Sequence, residues 1–230
     1  MVHAGRDKKY RQGAVNIPPY RASTVIFESL AEFRGWDDRE FRNFVYGRFG
    51  SPNSLALEEA YSELSGAYRS VATNSGMSAI NITASAFLNQ GDHVLVTEGS
   101  YEPAGLFFTN HLAPFGVEVE FFSPIIGEGI AARLKPSTRV VYLEAPSTTT
   151  FEIHDIELLV RIVREKSSQM GTNITIVLDN TWAGPLFFRP LEHGIDVEVQ
   201  AATKYIVGHS DAMLGIVACT KDSYKAVKES

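Results

Sequence analysis

The segment from residue 155 to residue 179, DIELLVRIVREKSSQMGTNITIVLD, combines a helix pattern with a strand pattern. Its first half carries apolar residues at the spacing of one helix face, namely Ile156, Leu159, Val160 and Val163. Residues 174–179 are apolar and rich in β-branched side chains up to a terminal aspartate, which is typical of a buried strand. A helix pattern followed closely by a buried strand is characteristic of α/β proteins.

The same alternation continues over most of the chain from residue 51 onward. Strand patterns occupy residues 92–97, 117–122, 139–144, 197–202 and 213–219, and helix patterns occupy residues 103–111 and 129–134. The alternation predicts an α/β fold with a mainly parallel sheet that carries helices on both faces. In such a sheet, ligands bind just beyond the carboxyl ends of the strands.

Residues 1–50 differ from the rest because they are polar, rich in arginine and aromatic residues, and irregular in pattern. We interpret them as an arm that packs on another part of the assembly, and residues 51–230 as one large domain. Residues 221–230 have the pattern of the first turns of a helix, without a glycine or an apolar face to close it. We therefore expect the full protein to continue beyond this chain.

The overall composition excludes several classes of function. With 44% hydrophobic and 21% charged residues, the chain is typical of a globular protein. Its 27 acidic residues outnumber its 21 basic ones, which argues against a nucleic-acid partner. Residues 1–16 have no apolar core of a signal peptide, and no apolar run is long enough to span a bilayer, so we expect a cytoplasmic protein without a membrane partner. The single cysteine, Cys219, excludes an internal disulfide and a multi-cysteine metal site, and its apolar neighbours predict a buried thiol.

Two charged residues stand at the ends of predicted strands. A carboxylate at the position of Asp179 is partly desolvated, so it either caps a helix, forms structural hydrogen bonds, or meets a metal ion or phosphoryl group. Lys204 lies within residues 200–213, QAATKYIVGHSDAM, among small residues that let a bulky group approach. It is either a surface lysine or an amine that desolvation makes nucleophilic towards carbonyl groups.

Residues 74–78, NSGMS, have the pattern of a turn between a strand and a helix. Backbone N–H groups at a helix N-terminus bind phosphate. The sequence has neither a Gly-x-Gly-x-x-Gly motif nor a P-loop lysine, which argues against nicotinamide cofactors and nucleoside triphosphates. A phosphate turn, a strand-end aspartate and a strand-end lysine together suit a phosphorylated aldehyde with a basic ring nitrogen, and pyridoxal 5′-phosphate has this chemistry.

Ordered motifs along nearly the whole chain resemble one family, the Cys/Met-metabolism (trans-sulfuration) enzymes that use pyridoxal 5′-phosphate. These motifs are HAGRDKKYRQGAVN, VYGRFGSPNS, TNSGMSAI, GDHVLVTEGSYEP, VYLEAPSTTTFEIHD, IVLDNTWAGPLF and GIDVEVQAATKYIVGHSDAM. The resemblance implies an aspartate-aminotransferase-like large domain (fold type I) that binds the cofactor. It also implies a C-terminal small domain, absent from this chain, that supplies the arginine for the substrate carboxylate.

The resemblance assigns catalytic and cofactor-binding roles to particular residues. Lys204 matches the lysine that forms a Schiff base with the cofactor and then acts as acid and base. Asp179 matches the carboxylate that keeps the pyridine nitrogen protonated, which makes the ring a stronger electron sink. Tyr101 matches the tyrosine that stacks on the ring, and it is also a candidate catalytic residue.

The remaining matched residues belong to the phosphate site, and none is a metal ligand. Gly76 and Met77 match backbone donors to the phosphate, and Thr203 matches a hydroxyl donor. Tyr46 and Arg48 match residues that reach the phosphate from the neighbouring subunit, a task that suits the forked guanidinium. The resemblance therefore implies a homo-oligomer, a dimer at least and usually a tetramer.

Two departures from the common family pattern favour one branch. Residues 147–149 are Ser-Thr-Thr where many members have Ser-Asn-Pro, and Ala201 stands where many have serine. Both changes resemble the β-lyase branch, whose substrate is a small molecule, the amino acid L-cystathionine. The resemblance then implies cleavage to homocysteine, pyruvate and ammonia in methionine synthesis.

Two other readings stay open at this point. Cystathionine γ-lyase, cystathionine γ-synthase and methionine γ-lyase share every cofactor residue named above. From a different class, the chain is also compatible with an inactive remnant that only binds the cofactor or partner subunits.

Overall fold

A computed structural model describes residues 4–6, 11, 13–35 and 44–230. The chain falls into two compact units, Met1–Glu63 and Leu64–Ser230. The predicted organisation, an arm over residues 1–50 and a domain over residues 51–230, stays a prediction.

The first unit contains short elements in its described residues. Helix α1 (Leu30–Arg34) begins after Ser29, whose hydroxyl accepts a hydrogen bond from the Glu32 N–H and so caps the helix. A single antiparallel bridge joins Thr24 to Tyr46, and a 3₁₀ turn follows at Gly47–Phe49. Helix α2 (Pro52–Ser65) begins in this unit, with proline at its first position, where no N–H is needed.

The second unit is built on a seven-stranded sheet. Its strands are β1 (Arg69–Thr73), β2 (His93–Thr97), β3 (Glu118–Phe122), β4 (Thr138–Glu144), β5 (Thr175–Asp179), β6 (Val197–Gln200) and β7 (Gly215–Cys219). The spatial order is β1-β7-β6-β5-β4-β2-β3. Strand β7 is antiparallel to both of its neighbours, and the other pairs are parallel. The prediction of a mainly parallel sheet is confirmed.

Helices and turns connect these strands. They are α3 (Gly76–Phe87), α4 (Glu102–Phe107), a π-helical turn (Phe108–Leu112), 3₁₀ turns (Ala113–Phe115, Gly127–Ala132 and Pro190–His193), α5 (Ile156–Met170), α6 (Gly184–Phe187) and α7 (Lys221–Glu229). None of the helices in the described ranges is long and apolar enough to cross a membrane.

Two of these segments differ from their predicted form. The helix expected over residues 103–111 changes to π-helical geometry after residue 107, ahead of Pro114, which has no N–H to extend a regular helix. The helix expected over residues 129–134 is instead the 3₁₀ turn Gly127–Ala132. Two glycines in six residues make a regular α-helix costly there.

Alternate residues of each strand pack on opposite faces of the sheet, because successive side chains of a strand point in opposite directions. On β4, Val140 and Tyr142 join one apolar cluster, which includes residues of α3 and α7. Val141 and Leu143 join a second cluster, which includes the apolar face of α5. Helices therefore cover both faces, as predicted. Strands β1, β2, β4, β5 and β6 all run in the same direction and end at one edge, which we call the carboxyl edge.

Candidate active site

A cavity of about 410 Å³ lies at the carboxyl edge of the sheet. Its wall comes from residues that end or follow strands β1, β2, β4, β5 and β6, together with Met213 ahead of β7. Six of the eight predicted site residues line it: Gly76, Met77, Tyr101, Asp179, Thr203 and Lys204. The sequence prediction that a ligand site lies just beyond the strand ends therefore agrees with the position of this cavity.

Asp179, the last residue of β5, is a buried carboxylate with 4% of its surface exposed. Its Oδ1 accepts hydrogen bonds from the backbone N–H of Thr181 at 3.0 Å and from the Thr181 hydroxyl at 2.6 Å. The Tyr142 hydroxyl lies 3.4 Å from Oδ2. Burial raises the pKa of Asp179, whereas the bonds from Thr181 and the charge of Lys204 act to lower it. Such a carboxylate is strongly stabilised by a nearby cation.

Thr181 connects this carboxylate to the segment that carries the lysine. Its hydroxyl oxygen accepts a hydrogen bond from the Ala201 N–H at 2.8 Å. The same hydroxyl donates to Asp179. The ends of β5 and β6 are therefore held together by a chain of two hydrogen bonds.

Lys204 lies in a turn after β6. Its N–H donates to the carbonyl of Ala201 at 3.1 Å, and its own carbonyl accepts from the Gly208 N–H at 2.7 Å. The side-chain Nζ lies 5.6 Å from the centroid of the Tyr101 ring, within the range of a cation–π contact. Lys204 is exposed in this chain. The desolvation that would make this amine nucleophilic stays a prediction.

Tyr101 stands between β2 and α4. It occupies the N-cap position of α4 and has 42% of its surface exposed. Its backbone N–H donates to Oε2 of Glu144 at 2.7 Å. The ring is therefore open to the cavity while its backbone is held at the carboxyl edge.

The start of α3 forms another wall of the cavity. The Ser75 hydroxyl accepts the Ser78 N–H at 3.1 Å and caps the helix. The preceding N–H groups, those of Gly76 and Met77, belong to the first turn, which has no partners within the helix. A Cβ on Gly76 would lie 2.6 Å from the Cβ of Ala201. Only glycine allows the two segments to approach this closely.

Thr203 lines the cavity and also joins the edge of β7. Its hydroxyl donates to the Leu214 carbonyl at 3.0 Å and accepts the Leu214 N–H at 2.9 Å. To donate to a phosphate, as the family resemblance implies, this hydroxyl must turn its proton away from Leu214.

Tyr46 and Arg48 belong to the first unit. The Arg48 guanidinium carbon lies 4.5 Å from the ring centroid of Phe49 and 5.9 Å from that of Tyr46. Their implied role concerns the phosphate site of a second subunit, and it stays a prediction.

Other residues of the cavity wall were not predicted as site residues, among them Glu144, Thr148, Thr181 and Trp182. Glu144 ends β4 and lies directly opposite Asp179 in the strand pairing. Burial and the charge of Asp179 raise the pKa of Glu144 to about 7, while hydrogen bonds from Thr148, Tyr101 and Trp182 lower it. The signal that singled out Asp179, an acid at the end of an apolar strand, was equally present at Glu144.

The fold and the cavity together define an α/β protein with a cavity at the carboxyl edge that is lined by a lysine and a buried carboxylate. The chain matches the family described as Cys/Met metabolism PLP-dependent enzyme over residues 1–229. It belongs to this family, and the cofactor of the family, pyridoxal 5′-phosphate, is the one predicted.

Individual relatives agree with this assignment. The chain is 40% identical to cystathionine beta-lyase MetC of Escherichia coli over 231 aligned positions, which cover the whole chain and 58% of that protein. It is 32% identical to an L-alanine/L-glutamate racemase of Wolbachia pipientis, again over the whole chain and 58% of that protein. The crystal structure of metB from Corynebacterium glutamicum superposes with a TM-score of 0.88 at 29% identity, covering 99% of this chain and 56% of that one. The predicted fold is confirmed, and the chain spans somewhat more than half the length of these relatives.

Proposed function

We propose that the complete protein is a carbon–sulfur lyase that cleaves L-cystathionine by β-elimination, giving homocysteine, pyruvate and ammonia with consumption of one water. The observation that carries this proposal is that Lys204 and Asp179 line one cavity, with the Tyr101 ring 5.6 Å from the lysine Nζ. The E. coli relative and a Bacillus subtilis relative at 39% identity, of which the chain covers 49%, are both named cystathionine beta-lyase. These names favour β-elimination over the γ-reactions of other family members.

The residues present fit the cofactor. Asp179 is a buried carboxylate beside an open cavity, and a protonated pyridine nitrogen is a cation that compensates the cost of burying it. The first-turn N–H groups of α3 suit a phosphate, and Gly76 brings them against Ala201. When bound, pyridoxal 5′-phosphate withdraws electrons from the substrate Cα and so stabilises a carbanion there.

Each residue then has a defined task. Lys204 would hold the cofactor through Nζ, and its amine would take the proton from the substrate Cα and deliver a proton to the departing sulfur. Asp179 would keep the ring nitrogen of the cofactor protonated, and Tyr101 would stack on the ring. Gly76, Met77 and Thr203 bind the phosphate.

The assembly follows from the same proposal. We assign Tyr46 and Arg48 to the phosphate site of a neighbouring subunit, which requires a dimer at least and is consistent with a tetramer of two dimers. Residues 1–50 serve as the arm that crosses to the partner, residues 51–230 bind the cofactor, and a C-terminal domain completes the substrate site. We also assign the enzyme to the cytoplasm.

Product analysis of the full-length protein tests the reaction. We expect pyruvate and homocysteine in equal amounts from L-cystathionine, and no 2-oxobutyrate. Appearance of 2-oxobutyrate with cysteine would replace the proposal by a γ-lyase. Racemisation of L-alanine without pyruvate would indicate a function like that named for the Wolbachia relative. A folded protein with no turnover of any of these substrates would support an inactive remnant.

Chemical labelling tests the site independently of the reaction. Borohydride reduction of the cofactor-loaded protein, followed by peptide mapping, should place a pyridoxyl group on Lys204. Lys204→Ala should abolish the label. Lys225→Ala is the matched control, because Lys225 lies on the exposed surface of α7 and pairs with Glu229 there; this variant should label like the wild type.

A further inference from the structure

Glu144 occupies a position that packing alone does not explain. It ends the otherwise apolar strand segment Val-Val-Tyr-Leu with 2% of its surface exposed, and it lies opposite a second buried carboxylate, that of Asp179. Bringing two carboxylates together out of water is costly. An apolar residue at this position would avoid that cost, so the carboxylate at Glu144 requires a compensating role.

The hydrogen bonds of Glu144 join three separate loops around the cavity. Oε2 accepts the backbone N–H of Tyr101, which follows β2, at 2.7 Å. Oε1 accepts the hydroxyl of Thr148, which follows β4. The side chain of Trp182, which follows β5, also donates to the carboxylate. All three partners line the same cavity as Lys204.

We propose, as an extension of the function proposed above, that Glu144 is a positioning residue whose carboxylate fixes the Tyr101, Thr148 and Trp182 loops around the bound cofactor. Charged acceptors form shorter and stronger hydrogen bonds than neutral ones, so a carboxylate is suited to hold three donors. Because the Tyr101 backbone is fixed at one of these bonds, its ring stays beside the Lys204 amine.

Two substitutions of Glu144 should impair this positioning role to different extents. Glutamine keeps one oxygen, which can accept the Tyr101 N–H, and its amide group can donate to the Thr148 hydroxyl oxygen. Alanine removes both contacts and leaves the three donors without their acceptor. We therefore expect Glu144→Gln to rescue most of what Glu144→Ala loses.

The test uses the full-length cofactor-loaded enzyme and measures the visible circular dichroism of the bound cofactor, which reports how rigidly its surroundings hold it. We expect Glu144→Ala to lose most of this signal while the borohydride label stays on Lys204, and to lower kcat/KM roughly ten- to a hundredfold, mainly in kcat. Glu144→Gln should keep more than half of the signal. The matched control is Glu152→Ala, which removes another carboxylate from the segment after β4. Among the described contacts, that carboxylate accepts a hydrogen bond only from the Thr150 hydroxyl, so this variant should resemble the wild type.

A wild-type dichroism signal and wild-type kcat/KM in Glu144→Ala would overturn the inference. If this variant does not fold, Thr148→Val removes one of the three bonds and should lower the signal measurably; an unchanged signal there would overturn it instead. Failure of the proposed function is recognised separately, because it appears in the wild type as a missing Lys204 label or a missing pyruvate product.

Discussion

At the scale of single residues, the carboxyl edge contains two adjacent acids in different environments. Asp179 receives two hydrogen bonds from one neighbour, Thr181, whereas Glu144 receives one from each of three loops. The lysine that lies in the same cavity is exposed. Two buried carboxyl groups therefore lie beside one exposed amine, and a bound cationic ring would lower the cost of ionising them.

This arrangement makes stability depend on pH in a defined direction. Burial raises the pKa of Glu144 from 4.5 to about 7. An acid whose pKa is higher in the folded state binds its proton more tightly there, so its contribution to stability is present below the unfolded pKa and is lost as pH rises through about 7. Asp179, which lies opposite Glu144 in the strand pairing, contributes to this raised pKa through its charge.

We therefore expect the free energy of unfolding of the full-length apoprotein, relative to that of Glu144→Gln, to fall between pH 5.5 and pH 8.5 by about 1–3 kcal/mol. Urea unfolding at several pH values measures both proteins. The difference between the two proteins cancels the contributions of groups they share, such as His93 and His154, whose pKa values burial lowers. A difference that is flat over this range, or that rises, would contradict the assignment.

At the scale of elements, the sequence predicted the strands better than their directions. Apolar runs rich in β-branched residues located β2, β4 and β5 to within two residues. The antiparallel direction of β7 was not predicted, because a run of buried residues reads the same in both directions and only the connection after Lys204 decides it. The π-helical turn after α4 likewise depends on local geometry that a helical periodicity does not contain.

In the candidate site, too, some features could be predicted from the sequence and others could not. Asp179 and Lys204 were identifiable as charged residues at strand ends, and the structure brings both into one cavity. The contacts of Glu144 and Thr181 were not identifiable, because they join loops that are distant in sequence. The close approach of α3 to the segment after β6 could not be predicted from the sequence either. A substitution at Gly76 tests its importance directly.

We expect Gly76→Ala to weaken both stability and cofactor binding. The new Cβ would lie 2.6 Å from the Cβ of Ala201 and 2.9 Å from its Cα, so the start of α3 must move away from the segment that leads to Lys204. Overpacking of this kind lowers the free energy of unfolding by about 1–3 kcal/mol. Displacement of the first-turn N–H groups should also weaken their hydrogen bonds to the phosphate of the cofactor. Thermal unfolding and cofactor titration measure the two effects.

Gly105→Ala is the matched control for this substitution. Gly105 lies inside α4, and a Cβ there would meet only the Phe121 ring at 3.8 Å, an ordinary contact. Alanine is the better helix former by about 1 kcal/mol, so this variant should be as stable as the wild type or more so. Equal behaviour of the two variants would show that the close approach of Gly76 and Ala201 has no importance.

At the scale of the whole molecule, the proposed dimer makes each active site depend on two chains. Lys204 would come from one subunit, and Tyr46 and Arg48 from the other. Lys204→Ala and Arg48→Ala should therefore each abolish or strongly lower activity when either variant is assayed alone. Their behaviour after mixing distinguishes a residue that acts across the interface from one that acts within its own subunit.

Consider a hybrid dimer of one Lys204→Ala chain and one Arg48→Ala chain. If each active site is formed by both chains, one site contains both substitutions and the other contains neither. Random reassortment makes about half of the dimers hybrids, so about a quarter of the wild-type activity should return after the two variants are unfolded together and refolded with cofactor. If Arg48 instead serves its own subunit, both sites of the hybrid stay defective and no activity returns. Mixing the native variants without unfolding is the control, since subunits that do not exchange cannot form hybrids. Recovery of activity thus depends on the side chains of two subunits meeting in one cavity, which a site formed by a single chain cannot reproduce.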